Sequence, residues 1–274
     1  MKRLIVFTDL DGTLLDGETY SFEPALPALK LLKEKEIPLI ICSSKTRREI
    51  EYYRRKLDNH DPFISENGGG IFIPRGYFQF PVQRSFSVID EDDYHVIRLG
   101  AGYSELRKAL VRLRSEGFNV KGFGDMSIEG LASIANMSIE EAEMAKERDF
   151  DEPFIFSGNE EELQRLFESI RAMGFNYTQG RFFHILGNSD KGKAVSILTE
   201  LYKRKFNEIT TIAIGDSPND IPMLKRVDYP VIVQKTDRGY DSRIEMPNLI
   251  KADGIGPHGW NKAILRFVPD MKAL

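Results

Sequence analysis

The amino-acid sequence predicts an α/β fold: a doubly wound, Rossmann-like parallel sheet with a smaller α+β domain inserted into it. Three observations predict it. Apolar runs alternate with charged amphipathic stretches up to residue 81, in the order strand, helix, strand, helix, strand that builds a parallel sheet. From 82 to 189 the segments shorten, the strands alternate and the helices become heavily charged. After 189 the first texture resumes, so residues 1–81 and 190–274 read as one core domain interrupted by an insertion at 82–189. A chain of 274 residues is long enough to bury two such cores.

The first strand is Leu4-Ile5-Val6-Phe7, and it ends in Thr8-Asp9-Leu10-Asp11-Gly12-Thr13. Side chains alternate along a strand, so Asp9 and Asp11 leave its end on the same side, while Gly12 lets the backbone turn sharply. Two acids brought together in this way serve a metal ion or divide the roles of acid and nucleophile. Residues 14–23 read as a polar loop, and Pro24 starts a helix carried by Leu26, Leu29, Leu31 and Leu32. Pro38-Leu39-Ile40-Ile41-Cys42 is apolar throughout, as a central parallel strand should be. Ser43, Ser44 and Lys45 stand at its end, before a charged helix over 47–57. Phe63-Ile64-Ser65 is a third strand, running into Glu66-Asn67-Gly68-Gly69-Gly70 and the return run Ile71-Phe72-Ile73.

Within the insertion, strands at 85–89 and 120–123 flank a helix over 103–115. Helices over 127–135 and 138–146 each open with a serine suited to capping. A strand at 154–156, a helix over 160–173 and a hairpin of 176–179 with 182–186 around Gly180 complete it. The core then resumes with a helix over 191–202 and a strand at 211–214 that ends in Gly215-Asp216-Ser217-Pro218-Asn219-Asp220. A strand at 231–233, a short one at 249–250 and a helix after His258 follow.

Composition narrows the partners. A formal charge of −4 and no long basic run argue against a nucleic-acid surface, leaving a small soluble molecule. No apolar stretch approaches the roughly 18 residues of a membrane span, and Met1-Lys2-Arg3 leads straight into a strand with no cleavable small-residue site, so a cytoplasmic location is expected. Cys42 sits in an apolar run and reads as a packed core residue. Asn136-Met137-Ser138 and Asn176-Tyr177-Thr178 match the glycosylation sequon, which carries little meaning in the cytoplasm.

The Gly215–Asp220 motif repeats the logic of the first: an apolar strand, a glycine, then acids. Side by side in a parallel sheet, the two strand ends would offer Mg²⁺ the hard oxygen ligands it prefers. Gly187-Asn188-Ser189-Asp190-Lys191-Gly192-Lys193 satisfies most of a P-loop pattern, but Ala194 stands where the metal-binding hydroxyl is needed. Gly254-Ile255-Gly256-Pro257-His258-Gly259 matches GxGxxG, yet too little chain follows for a dinucleotide-binding unit, and it reads as a glycine-rich turn.

Taken together, DxDGT, a strand-end serine, a lysine and GDxxND resemble, in order and kind, the four motifs of the haloacid dehalogenase phosphatases. Several further stretches resemble the mannosyl-3-phosphoglycerate phosphatase family: Ser44-Lys45-Thr46-Arg47, Glu66-Asn67-Gly68-Gly69-Gly70, Gly122-Phe123-Gly124-Asp125-Met126-Ser127, Arg148-Asp149-Phe150-Asp151-Glu152 and Gly180-Arg181-Phe182-Phe183-His184. The resemblance implies an inserted cap that sets specificity, Asp9 as nucleophile, and Asp11 as the acid that later activates water. It implies Mg²⁺ held by Asp9, Asp216 and the backbone carbonyl of Asp11, with Ser43 and Lys191 on the phosphate and with Asn219 and Asp220 orienting groups around them. Lys45, Arg181 and His184 suit a glycerate carboxylate, Asp125 suits a sugar hydroxyl, and Asn67 is a further candidate substrate contact. A phosphatase of another sugar phosphate, such as glucosyl-3-phosphoglycerate or sucrose phosphate, and a catalytically silent sensor of a phosphorylated sugar are the competing readings.

Overall fold

The computed structural model describes residues 2–82 and 87–270. The core opens with β1 (Arg3–Thr8), α1 (Leu26–Glu34), β2 (Leu39–Cys42), α2 (Arg47–Leu57), β3 (Phe63–Ser65) and β4 (Gly70–Pro74). It continues with β5 (Ile89–Glu91) and β6 (Tyr94–Arg98), and closes with α7 (Lys191–Phe206), β11 (Ile209–Gly215), α8 (Ile221–Leu224), β12 (Tyr229–Gln234), β13 (Ile250–Ile255) and α9 (Pro257–Asp270). Among the described residues these strands form a nine-stranded sheet in the order β13-β12-β11-β1-β2-β3-β4-β6-β5. It is parallel from β13 to β3 and antiparallel beyond.

Both sheet faces are covered, which is why its strands read as apolar without interruption. Leu4 and Val6 of β1 pack in one cluster with Leu32, Ile50 and Trp260 from α1, α2 and α9. Ile5 and Phe7 pack in the other with Val195, Leu198 and Leu201 of α7 and Leu224 of α8. β1 lies in the middle, and its pairing with β11 runs from Arg3↔Ile209 to Thr8↔Ile214. Asp9 therefore emerges beside Gly215.

The inserted unit contains α3 (Tyr103–Ser115), β7 (Val120–Gly122), α4 (Ile128–Ala135), α5 (Ile139–Lys146), β8 (Asp151–Phe156), α6 (Glu160–Ala172), β9 (Asn176–Gln179) and β10 (Phe183–Leu186). Its antiparallel sheet runs β7-β8-β10-β9. Phe154 and Ile185 bury against Leu106, Leu110 and Ile170 of α3 and α6, while Ile155 and Phe182 pack against the α4–α5 pair. Ser127 and Ser138 cap α4 and α5 through their side chains, as expected.

Three expectations need correcting. The boundary at 82 is too early, because β5 and β6 extend the core sheet and the chain leaves it only after Arg98. Tyr94 meets the stacked pair Phe63 and Phe72 edge-on, with centroids 5.4 and 5.8 Å away, which anchors the hairpin on the sheet. The strand expected at 85–89 falls partly on 83–86, outside the described residues; β5 begins at Ile89. The 254–259 glycine segment is not all turn: Gly254 and Ile255 finish β13, and Pro257 opens α9. Gln234 holds it there, its side chain accepting from Gly254 N–H (3.0 Å) and its carbonyl from Gly256 N–H (3.0 Å).

Candidate active site

A cleft of about 370 Å³ lies beyond the carboxyl ends of the parallel strands, with the inserted unit as its far wall. Asp9, Asp11 and Asp216 stand on the sheet side, and Arg181, Phe182 and His184 face them from the hairpin. This is where open α/β sheets bind ligands.

Asp9 continues β1, its N–H donating to Ile214 (3.0 Å). Lys191, the first residue of α7, is fully buried beneath it and donates to Asp9 Oδ1 and to Asp220 Oδ1, each at 2.7 Å. The other oxygen of Asp220 accepts the N–H groups of Asp216 (3.0 Å) and Ser217 (3.1 Å). Asp220 is thus fully engaged as a support for Lys191 and for the loop. Asp216 takes hydrogen bonds from the hydroxyls of Thr13 (3.2 Å) and Ser217 (2.9 Å) and, among the described residues, has no cation in salt-bridge contact. Gly12 closes the turn at φ +74°, where a Cβ would stand 3.0 Å from Asp216 Oδ2.

Electrostatics follow from this crowding. Burial, together with Asp220, Asp216 and Asp11, holds Asp9 well above the ordinary carboxylate range against the pull of Lys191. Burial and Asp220 push Asp216 up to about 7. Burial opposes the charge of Lys191, but Asp220 and Asp9 outweigh it and raise its pKa. Carboxylate oxygens of Asp9, Asp216 and Asp220 lie within 4.8 Å of one another, three acids served by one lysine. An all-oxygen set short of positive charge fits a hard divalent cation. Since Asp220 is committed elsewhere, Asp9 and Asp216 are the side chains that could hold it.

Asp11 turns away from that cluster. Its Oδ2 sits 3.1 Å from Lys45 Nζ, which is also 3.2 Å from Glu49, and its Oδ1 is buried without a partner. Burial raises its pKa, and Lys45 only partly offsets this. Lys45 itself is buried over the rings of Tyr20 (5.1 Å) and Tyr53 (5.6 Å). Although it lines the cleft, its charge is spent on Asp11 and Glu49.

The remaining sequence candidates divide. Ser43 is fully buried at the end of β2, its Oγ accepting the N–H of Lys45 (3.2 Å), while its neighbour Ser44 lines the cleft. Arg181 and His184 both line the cleft. Arg181 donates to the carbonyl of Ala135 (2.7 Å), and His184 Nδ1 meets Asp151 Oδ2 (3.0 Å). Asn67 does not line it: its amide is buried between Asp151 (2.8 Å) and Asn219 (3.1 Å). Asp125 is also off the cleft, paired with Arg107 and with Arg114 (2.6 Å), and it holds the Gly122 N–H (2.9 Å). Burial works against its charge, but these partners lower its pKa to about 2. Its loop carries Phe123 into the cleft, which is the contribution this stretch makes.

Sequence reasoning passed over Tyr20, Arg148 and Lys235, all of which line the cleft. Arg148 lies within one of the stretches that carry the resemblance and is buried against Asp151 and the carbonyl of Ser44 (2.7 Å). Tyr20 and Lys235 stand on loops with no local signal. Glu66 was seen only as part of a motif; buried in the core, it accepts the N–H groups of Phe150 (2.7 Å) and Asp151 (2.9 Å) and so ties the core to the inserted unit.

The family model for haloacid dehalogenase-like hydrolases matches residues 6–86 and 127–241. The chain is 50% identical over 266 residues to the glucosyl-3-phosphoglycerate/mannosyl-3-phosphoglycerate phosphatase of Methanococcoides burtonii, covering 96% of this chain and 97% of that one. It is 40% identical over 256 residues to the mannosyl-3-phosphoglycerate phosphatase of Pyrococcus horikoshii, covering 92% and 100%. Among solved structures, protein 0175 of Thermoplasma acidophilum superposes with a TM-score of 0.68 at 19% identity, over 97% of this chain and 98% of that one. A subclass IIB sugar phosphatase of the same superfamily gives 0.60 at 20% identity, over 97% and 99%. At these identities the structural likeness speaks to the fold.

Proposed function

This chain belongs to the haloacid dehalogenase-like hydrolases, and we propose that it is a Mg²⁺-dependent phosphatase that converts mannosyl-3-phosphoglycerate to mannosylglycerate and phosphate. The observation that carries the reading is the buried Asp9–Lys191–Asp220 array facing, across the cleft, an arginine that has no carboxylate partner among the described residues. Of the cleft cations, Lys45, Arg148 and Lys235 are paired with Asp11, Asp151 and Asp241. Arg181 meets two backbone carbonyls and the ring of Phe182 but, among the described residues, no carboxylate, so it is the cation left for the glycerate carboxylate.

Asp9 attacks phosphorus through a carboxylate oxygen, forming an aspartyl phosphate as the bond to the glycerate oxygen breaks. Asp11, whose raised pKa suits it to carry a proton, delivers that proton to the leaving oxygen. It then takes a proton from water, whose oxygen attacks phosphorus as the bond from phosphorus to the Asp9 carboxylate oxygen breaks, releasing phosphate and free Asp9. Lys191 and Ser43, whose hydroxyl accepts from Lys45 and so has its own proton to give, neutralise the phosphoryl oxygens. Mg²⁺ held by Asp9, Asp216 and the Asp11 carbonyl would supply further positive charge against those oxygens. The inserted unit reads the sugar and excludes water.

Glucosyl-3-phosphoglycerate is the second substrate to consider, because the Methanococcoides burtonii relative is named for both compounds. The test is phosphate release, with and without Mg²⁺, from the mannosyl and glucosyl compounds, 3-phosphoglycerate, mannose phosphate and sucrose phosphate. Mg²⁺-dependent release from the glycosyl-phosphoglycerates above the rest supports the reading. Release from another compound alone moves the specificity, and binding without release supports a sensor.

A further inference from the structure

Asp151, on β8 of the inserted unit, has no role in the chemistry described above, yet it stands at the centre of a side-chain network that crosses from that unit to the core. Its Oδ1 accepts from Arg148 Nε (2.6 Å), and its Oδ2 accepts from Asn67 Nδ2 (2.8 Å) and meets His184 Nδ1 (3.0 Å). Asn67 Oδ1 in turn receives Asn219 Nδ2 (3.1 Å), and Asn219 lies in the acidic loop beside Asp220. Gly180, at the tip of the β9–β10 hairpin, sits with its would-be Cβ 3.7 Å from the Asn219 amide. Asp151 is fully buried, and Asn67, Asn219 and His184 nearly so.

An ionised carboxylate only accepts hydrogen bonds, so Asp151 dictates every orientation around it. Asn67 must present its NH₂, which turns its oxygen toward Asn219 and forces Asn219 to donate. His184 must place its proton on Nδ1. Burial opposes the charge on Asp151, but the Arg148 guanidinium and the hydrogen bonds from His184 and Asn67 keep its pKa below the ordinary range, which maintains the acceptor. A neutral imidazole protonated at Nδ1 carries a bare lone pair on Nε2. Such a nitrogen accepts from a hydroxyl and repels a carboxylate.

We propose that Asp151 is a positioning residue for this reaction: by fixing His184 as the Nδ1–H tautomer it presents Nε2 in the cleft as acceptor for a sugar hydroxyl, and through Asn67 it locks that reader to the acidic loop at Asn219. The proposal rests on the glycosyl-phosphoglycerate reading and divides its labour: Arg181 takes the glycerate carboxylate, and His184 takes the sugar. The left-handed backbone of Asn67 (φ +55°) is what lets the turn after β3 reach both units.

Two measurements test it. The chain has four histidines, so long-range ¹H–¹⁵N correlation spectra of histidine-labelled full-length protein, assigned with His184→Gln, report the tautomer directly. At about pH 8, above the ordinary histidine range, the expected result is a proton on Nδ1 and none on Nε2. An Nε2–H tautomer or an imidazolium would overturn the proposal. In steady-state assays with Mg²⁺, Asp151→Asn should lower the ratio of kcat/KM for mannosyl-3-phosphoglycerate to that for p-nitrophenyl phosphate by about tenfold or more, mostly through KM. Equal losses on both substrates would make Asp151 merely structural and overturn it. If Asp151→Asn does not fold, the wild-type spectrum decides alone. Wild-type protein that hydrolyses p-nitrophenyl phosphate but neither glycosyl compound would overturn the substrate reading, while the spectrum still judges the network.

Discussion

Lys191 Nζ lies 2.7 Å from Asp9 Oδ1, joining the first turn of α7 to the end of β1 across 182 positions of sequence. The lysine is fully buried and shared with Asp220, so its single charge serves two acids. Lys191→Met leaves both uncompensated. Removing one partner of a buried ion pair costs about 3–5 kcal/mol, and proton uptake by the stranded acids should bring the loss to the low end. Urea unfolding at neutral pH measures it, and turnover should fall by about a hundredfold or more. A variant of undiminished stability would show that the pair is not the support described here.

Asp9→Asn separates chemistry from folding. The substitution removes a carboxyl whose charge burial penalises, so the melting temperature should hold or rise. Phosphate release should drop by about a thousandfold or more, because an amide cannot form the covalent intermediate. Substantial remaining turnover would sink the nucleophile assignment.

Asp216 has hydroxyl partners but no cation in contact among the described residues, and burial beside Asp220 pushes its pKa up to about 7. Added Mg²⁺ should therefore stabilise the fold as any ligand of the native state does, by about 2.7 kcal/mol at a hundredfold excess over Kd. Thermal melts across a Mg²⁺ series check this with no substrate present. In Asp216→Asn the Mg²⁺ shift should largely disappear; a shift equal to that of the wild type would place the ion elsewhere.

Among the described residues, Arg181 donates its hydrogen bonds only to backbone carbonyls. Arg181→Met should raise KM for mannosyl-3-phosphoglycerate about tenfold or more, as expected for a charge-assisted contact of about 1.5–3 kcal/mol. Mannose phosphate lacks the carboxylate and should change by less than about twofold. Parallel effects on both would assign Arg181 to the phosphate or to the hairpin.

Asp125 tests the corrected role of its loop through pH. Its folded pKa of about 2 lies below the ordinary value of 3.8, so its stabilising effect is complete above that ordinary value and is lost as pH falls through about 2. Asp125→Asn should therefore be less stable than wild type at pH 7 and pH 5, with the gap narrowing as acid is added. Denaturant midpoints at several pH values measure it; a gap independent of pH would mean that the charge contributes nothing.

Much of this molecule follows from local sequence. The apolar β1 and β11 runs, each ending in acids at a turn, determine that Asp9 and Asp216 meet beyond the strand ends, because adjacent parallel strands bring their carboxyl ends together. The expected shared side of Asp9 and Asp11, by contrast, was lost when Lys45 drew Asp11 away. The serine caps, the helix boundaries at Tyr103 and Ser115, and the β9–β10 hairpin were legible for the same reason: they depend on residues within a turn or two of one another.

Only the tertiary structure decided which polar groups remain free. Lys45, Asn67 and Asp125 have the chemistry of ligand-binding residues, yet each is satisfied by a partner that the fold brings from elsewhere: Asp11, Asp151 and Arg107. Arg181, of similar promise in sequence, meets no carboxylate among the described residues. The hairpin β5–β6 joined the core for an equally non-local reason, the packing of Tyr94 on Phe63 and Phe72. Hydrogen-bond capacity belongs to a residue type, but whether it is already spent depends on contacts made across dozens of positions, and those exist only once the chain has folded.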